Sequence, residues 1–142
     1  MTESDIKNKN LVLITYLDSI INGYKVKAEF STNDNDTKVI VCQEENGNKV
    51  VFYDEEVPLF NYYTINTYGD NIREEKETSV VLGNLIGKSI TLEFVDKKKT
   101  KPTTEKWQII FMQMTNPRAI QYMDIRRVGY TMTLKCIVNR VA

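Results

Sequence analysis

The chain contains no histidine. That absence removes the commonest general base, the Ser-His and Cys-His nucleophile pairs and every metal site that needs an imidazole. Cysteine is scarce: Cys42 and Cys136 lie far apart and belong to no Cys-x-x-Cys pair, so they are expected to be free, buried thiols on strands in a reducing compartment. Neither charge sign is in excess, with 19 Lys and Arg against 19 Asp and Glu. A protein that coats nucleic acid or an anionic membrane normally carries surplus positive charge, so neither task is expected. No run approaches the roughly 18 apolar residues of a membrane span, and the polar start MTESDIKNKN is unlike a signal peptide. A soluble, cytoplasmic origin is the expectation. Glycine-rich phosphate cradles are missing too, since Gly83 and Gly87 stand without a Walker or dinucleotide pattern around them.

What is present is alternation. The 142 residues suit one domain with its own core. Ser4 or Asp5 can cap a helix running to about Asn22, with Asn10, Leu13, Ile14, Leu17 and Ile21 at helical spacing and Gly23 as its stop. From Tyr24 the period becomes two, and Tyr24, Val26, Ala28 and Phe30 predict a strand. Residues 38–43 and 49–53 predict a hairpin about Asn46-Gly47, and residues 59–68 an aromatic-rich strand. Asn71 with Glu74 fits a capping box for a second helix from Ile72 to about Ile86, burying Thr78, Val81, Leu82 and Leu85; Gly83 inside it suggests close packing. Residues 90–95 predict a short strand, with a continuing helix as the alternative, and Trp107 to Met114 a central strand covered on both faces.

The chain closes on NPRAIQYMDIRRVGYTMTLKCIVNRVA, a kinked segment followed by a long strand. Val128, Tyr130, Met132, Leu134, Cys136 and Val138 fall on one face of that strand, with Thr131, Thr133, Lys135 and Asn139 on the other. The order is helix, strands, helix, strands, which makes the fold class α+β: a single domain with a largely antiparallel or mixed sheet flanked by two helices.

Candidate sites are few. Asp34 and Asp36, and the cluster 54–56, could bind a cation or do acid-base work, but the first lacks the glycine and distal glutamate of a calcium loop. Solvated turns are the favoured reading, and no metal, cofactor or catalytic residue is assigned. Lys97, Lys98, Lys99 and Lys101 lie in the polar loop DKKKTKPTTEK, a solvated loop or a contact to a negatively charged partner. Arg126 and Arg127, with Asp124 beside them and Arg118 before them, admit two readings. Their guanidiniums are suited to carboxylates of a neighbouring chain, or to an intrachain salt bridge that pins the kink.

Three stretches carry a resemblance: LVLITYLDSIINGY (11–24), YYTINTYGDNIREEKETSVVLGNLIG (62–87) and NPRAIQYMDIRRVGYTMTLKCIVNR (116–140). In layout they resemble the tail terminator, or tail-completion, proteins of long-tailed bacteriophages and tailocins. The resemblance implies a non-enzymatic virion protein at the tail and neck, assembled in the host cytoplasm. Its subunits would form a hexameric ring that caps the head-proximal end of the tail tube and stops its polymerisation. Implied partners are other copies of the chain, the tail tube protein, the neck or head-completion protein and, in a contractile tail, the sheath. On that reading Arg118, Asp124, Arg126 and Arg127 belong to subunit interfaces, and the loops holding Asp34, Asp36, Lys97, Lys98, Lys99 and Lys101 contact tube or neck. The hairpin at Asn46-Gly47 and the lysine loop depart from the pattern. The alternatives are another connector, neck or tube ring, or a small monomeric module that grips nucleic acid with the lysine loop.

Overall fold

A computed structural model describes residues 3–31, 38–45, 61–70, 72–96, 100–122 and 127–142. The first helix, α1 (Glu3–Ile20), ends two residues before the expected stop, and Gly23 supplies the positive φ of 83° that turns the chain out of it. Val12, Leu13, Leu17 and Ile21 form its buried stripe. Asn10 shares that side as a polar residue because Tyr63 needs it: the Tyr63 hydroxyl donates to Asn10 Oδ1 at 2.7 Å, and Asn10 Nδ2 donates to Glu44 Oε2 at 2.8 Å.

The strands are β1 (Lys25–Lys27), β2 (Val39–Glu44), β3 (Asn61–Tyr68), β4 (Ser89–Val95), β5 (Thr104–Met114), β6 (Arg118–Tyr122) and β7 (Arg127–Arg140), with α2 (Ile72–Gly83) between β3 and β4. Among the described residues they make one seven-stranded sheet in the order β1-β2-β3-β7-β5-β4, with β6 also on β7. Only β1 and β2 run parallel. The class is therefore α+β with a mixed, mostly antiparallel sheet. β7 is its axis, holding β3 along one side and β5 then β6 along the other.

β5 and β6 act as one long arm facing β7. Their register against it slips once between Phe111 and Gln113 and again before Arg118, while the amide of Thr115 keeps the ladder going by bonding to the Thr133 carbonyl. Each slip bends the arm. Pro117, which has no amide hydrogen to donate, sits in the second irregularity.

Both helices cover one face of the sheet. Under them lie Tyr63 and Ile65 of β3, Trp107, Ile109 and Phe111 of β5, and Met132, Leu134, Cys136 and Val138 of β7, joined by Leu82 and Leu85. Full burial of each such side chain contributes about 1.5–3 kcal/mol before the entropy of ordering it. The alternation expected for the last strand is thus found from Met132 to Cys136, beyond which Ile137 is buried as well as Val138. A smaller cluster forms on the opposite face, where Phe30 packs on Tyr68 with ring centres 4.6 Å apart and Tyr68 stacks on Tyr122 at 4.3 Å, beside buried Val39.

Several expectations are corrected. The Tyr24–Phe30 strand shrinks to three residues, with Phe30 drawn out to the aromatic stack. Trp107–Met114 is not covered on both faces: Met112 and Gln113 are exposed, because both helices occupy the other side. α2 ends at Gly83, and Val81 is 40 % exposed. A methyl at Gly83 would meet only Met114 Cε at an ordinary 3.7 Å, so close packing does not account for that glycine. Gly129 is the packing glycine. A Cβ there would lie 1.8 Å from the carbonyl oxygen of Thr67, where β3 presses on β7. The Asn46-Gly47 turn and the second arm of the expected hairpin lie outside the described residues; among the described strands β2 pairs with β1 and β3.

Candidate functional site

The reactive groups on the helix-covered side are locked into structure. Cys42 and Cys136 are free and buried, as expected. Burial pushes both thiols up, Cys136 to about 12, so neither is a thiolate near neutral pH. Burial likewise raises Tyr63, whose hydroxyl is committed to Asn10. Glu105 is fully buried, accepts a hydrogen bond from Trp107 Nε1 at 3.1 Å and lies 4.0 Å from Arg140 Nε. With Val141 and Ala142 bonded to the backbone of Lys106, this ties the end of β7 onto β5. A cleft of 390 Å³ at the end of α1 is lined by Ile20, Tyr24, Lys38, Glu77 and Val81 among others.

The arginines separate. Arg118 opens β6, is exposed, and makes no ion pair among the described residues. Arg127 opens β7 and is 2 % exposed, its Nη1 3.5 Å from Asp70 Oδ1. Of the two readings of the pair, the intrachain salt bridge is the geometry seen at Arg127, which alternation turns inward toward the end of β3. Lys101 is exposed. Asp34, Asp36, Lys97, Lys98, Lys99, Asp124 and Arg126 lie outside the described residues.

The remaining feature is the outline of the sheet. Its β1 edge is closed: β1 has three residues, two of them lysines, and the amide of Val26 is taken by Asp18 Oδ1 of α1 at 3.1 Å. Short strands, lysines and a covering helix are ways of blocking edge pairing. The β4 edge has none of these. It runs seven residues without proline or bulge and pairs with β5 alone among the described strands. The side on which its backbone is free follows from the ladder. Lys106, opposite Glu93, spends its amide and carbonyl on Val141 and Ala142, so Glu93 directs its own away from β5. By the two-residue period Ser89, Thr91 and Val95 do the same.

β6 is a second open edge. Val128, opposite Gln121, exchanges both bonds with Gly69, so Gln121 and Ala119 direct theirs away from β7. Each open edge carries one charged side chain. Glu93 and Arg118 are both exposed, stand in no ion pair among the described residues, though Lys106 lies across from Glu93 on β5, and are on the face opposite α1 and α2. Sequence reading found β4 but not its edge position, and took β6 for a kink; the only local signal for β6 was its apolar content, Ala119, Ile120 and Tyr122. No family model matches the chain, and no curated protein matches it.

Proposed function

We propose that this chain is a structural subunit of a phage or tailocin tail, a tail terminator whose copies close into a ring on the head-proximal end of the tube. The support is a resemblance of layout in the sequence together with one structural observation: among the described residues the sheet is covered by two helices on one face and has two dissimilar edges without a paired strand. A ring of more than two copies is built from heterologous contacts, in which one patch of each subunit meets a different patch of the next. Two unlike edges with opposite charge suit that need. Tube, neck and, in a contractile tail, sheath are the further partners on this reading, and the protein performs no catalysis. Native mass spectrometry tests it. Six copies of 16.5 kDa make a 99 kDa ring, and a chain that stays monomeric both alone and with tube protein contradicts the reading.

A further inference from the structure

We infer that copies of this chain meet by sheet extension, the β4 edge of one receiving the β6 edge of another. The inference deepens the ring reading and rests on it for the number of copies, though not for the contact itself.

The occupant of the β4 edge is fixed by three properties of that edge. First, its amides and carbonyls at Ser89, Thr91, Glu93 and Val95 call for an extended backbone. Second, the strand's own charge is the carboxylate of Glu93, so the incoming strand should carry a cation. Third, the chain has one other described strand edge with free backbone groups and an unpaired cation, namely β6 with Arg118. β1 is excluded because α1 covers its amide.

Register and facing agree with this partner. On β6 the outward backbone groups belong to Ala119 and Gln121, so Arg118 bonds inward to β7. In a parallel ladder a residue that bonds across lies opposite one that does not. Laying β6 parallel to β4 with Arg118 opposite Thr91 therefore overlaps all of β6, up to Tyr122 opposite Val95. Arg118 and Glu93 are then diagonal neighbours on the same face, the one opposite α1 and α2. The antiparallel arrangement puts them on opposite faces and loses the ion pair.

The outline of the sheet also fits. β4 stands one strand farther from β7 than β6 does, which leaves a step beside β6 for the β4 of another copy. Copies that exchange both contacts close as a dimer. Both edges lie on the β5 side of β7, so the parallel contact relates two copies by about a half-turn, and a larger ring requires the register slips at Phe111–Gln113 and before Arg118 to carry β6 off that half-turn.

The test is charge reversal with rescue, read by native mass spectrometry and sedimentation. Glu93→Arg and Arg118→Glu should each weaken assembly at least about tenfold while leaving the circular dichroism spectrum unchanged, and the double variant should restore it. Thr91→Pro should abolish assembly and still fold, because the amide it removes faces away from β5. A 99 kDa species that responds in this way supports both the contact and the ring. A dimer of two 16.5 kDa chains that responds in this way supports the contact and overturns the ring. Assembly indifferent to all four variants, or a strict monomer at the highest soluble concentration, overturns the contact.

Discussion

Replacing Gly129 by alanine should destabilise this fold strongly. The new Cβ would sit 1.8 Å from the Thr67 carbonyl oxygen, 2.7 Å from its carbon and 2.9 Å from Oγ1. Ordinary contact begins at 3.4 Å, so β3 and β7 must part by about 1.6 Å. The obstacle is backbone, and no side-chain rotation relieves it. Parting the strands strains the bond from the Tyr130 amide to Thr67 Oγ1, 2.8 Å long, and the reciprocal pair between Gly69 and Val128 at 2.9 and 3.0 Å. Overpacking costs about 1–3 kcal/mol and each lost hydrogen bond about 0.5–1.5, so a loss of about 3–5 kcal/mol is expected. Against a total stability of about 5–15 kcal/mol, that is a large share. Urea unfolding followed through Trp107, the single tryptophan and fully buried, measures it. A loss below about 1 kcal/mol would refute the close approach of β3 to β7.

Gly83→Ala should act in the opposite direction, raising stability by about 0.5–1 kcal/mol, since the helix gains a better former and the methyl finds room; a loss in the same urea assay would count against it. Arg127→Glu should destabilise by about 2–4 kcal/mol, because it buries a carboxylate near Asp70, whereas Arg118→Glu should change monomer stability by no more than about 0.5 kcal/mol; equal effects would mean that Arg127 is not buried. The thiols should resist a water-soluble disulfide reagent in the native state and react in denaturant. Burial raises their folded pKa above the unfolded value, so the stabilisation is complete below the ordinary 9.0 and falls as pH rises through about 12 at Cys136; stability that increases with pH across that window would contradict the assignment.

The helices and long strands were legible because their apolar periods are strong. β7 alternates from Met132 to Cys136, and α1 repeats at Leu13, Leu17 and Ile21. The limits were less legible, because they depend on neighbours. Phe30 continues the alternation of β1 but leaves it for Tyr68, and Val81 fits the helical stripe but lies where no sheet residue covers it. The open edges were illegible for a similar reason. Whether Glu93 points its backbone at a neighbour or at solvent is decided by Lys106 bonding to the last residues of the chain, a pairing no local pattern announces. The place of Arg127 was open in the sequence, because whether its guanidinium meets another chain or its own is decided by Asp70, which the fold brings beside the start of β7.

The central claim, that this chain ends a tail as a ring, is tested most directly by electron microscopy of intact tails with a gold label on the protein. The account predicts label at the head-proximal end alone, on a closed ring of repeated subunits, and tubes of uncontrolled length when the protein is withheld. Label spread along the tube, or tails of normal length and normal head joining without the protein, would contradict it.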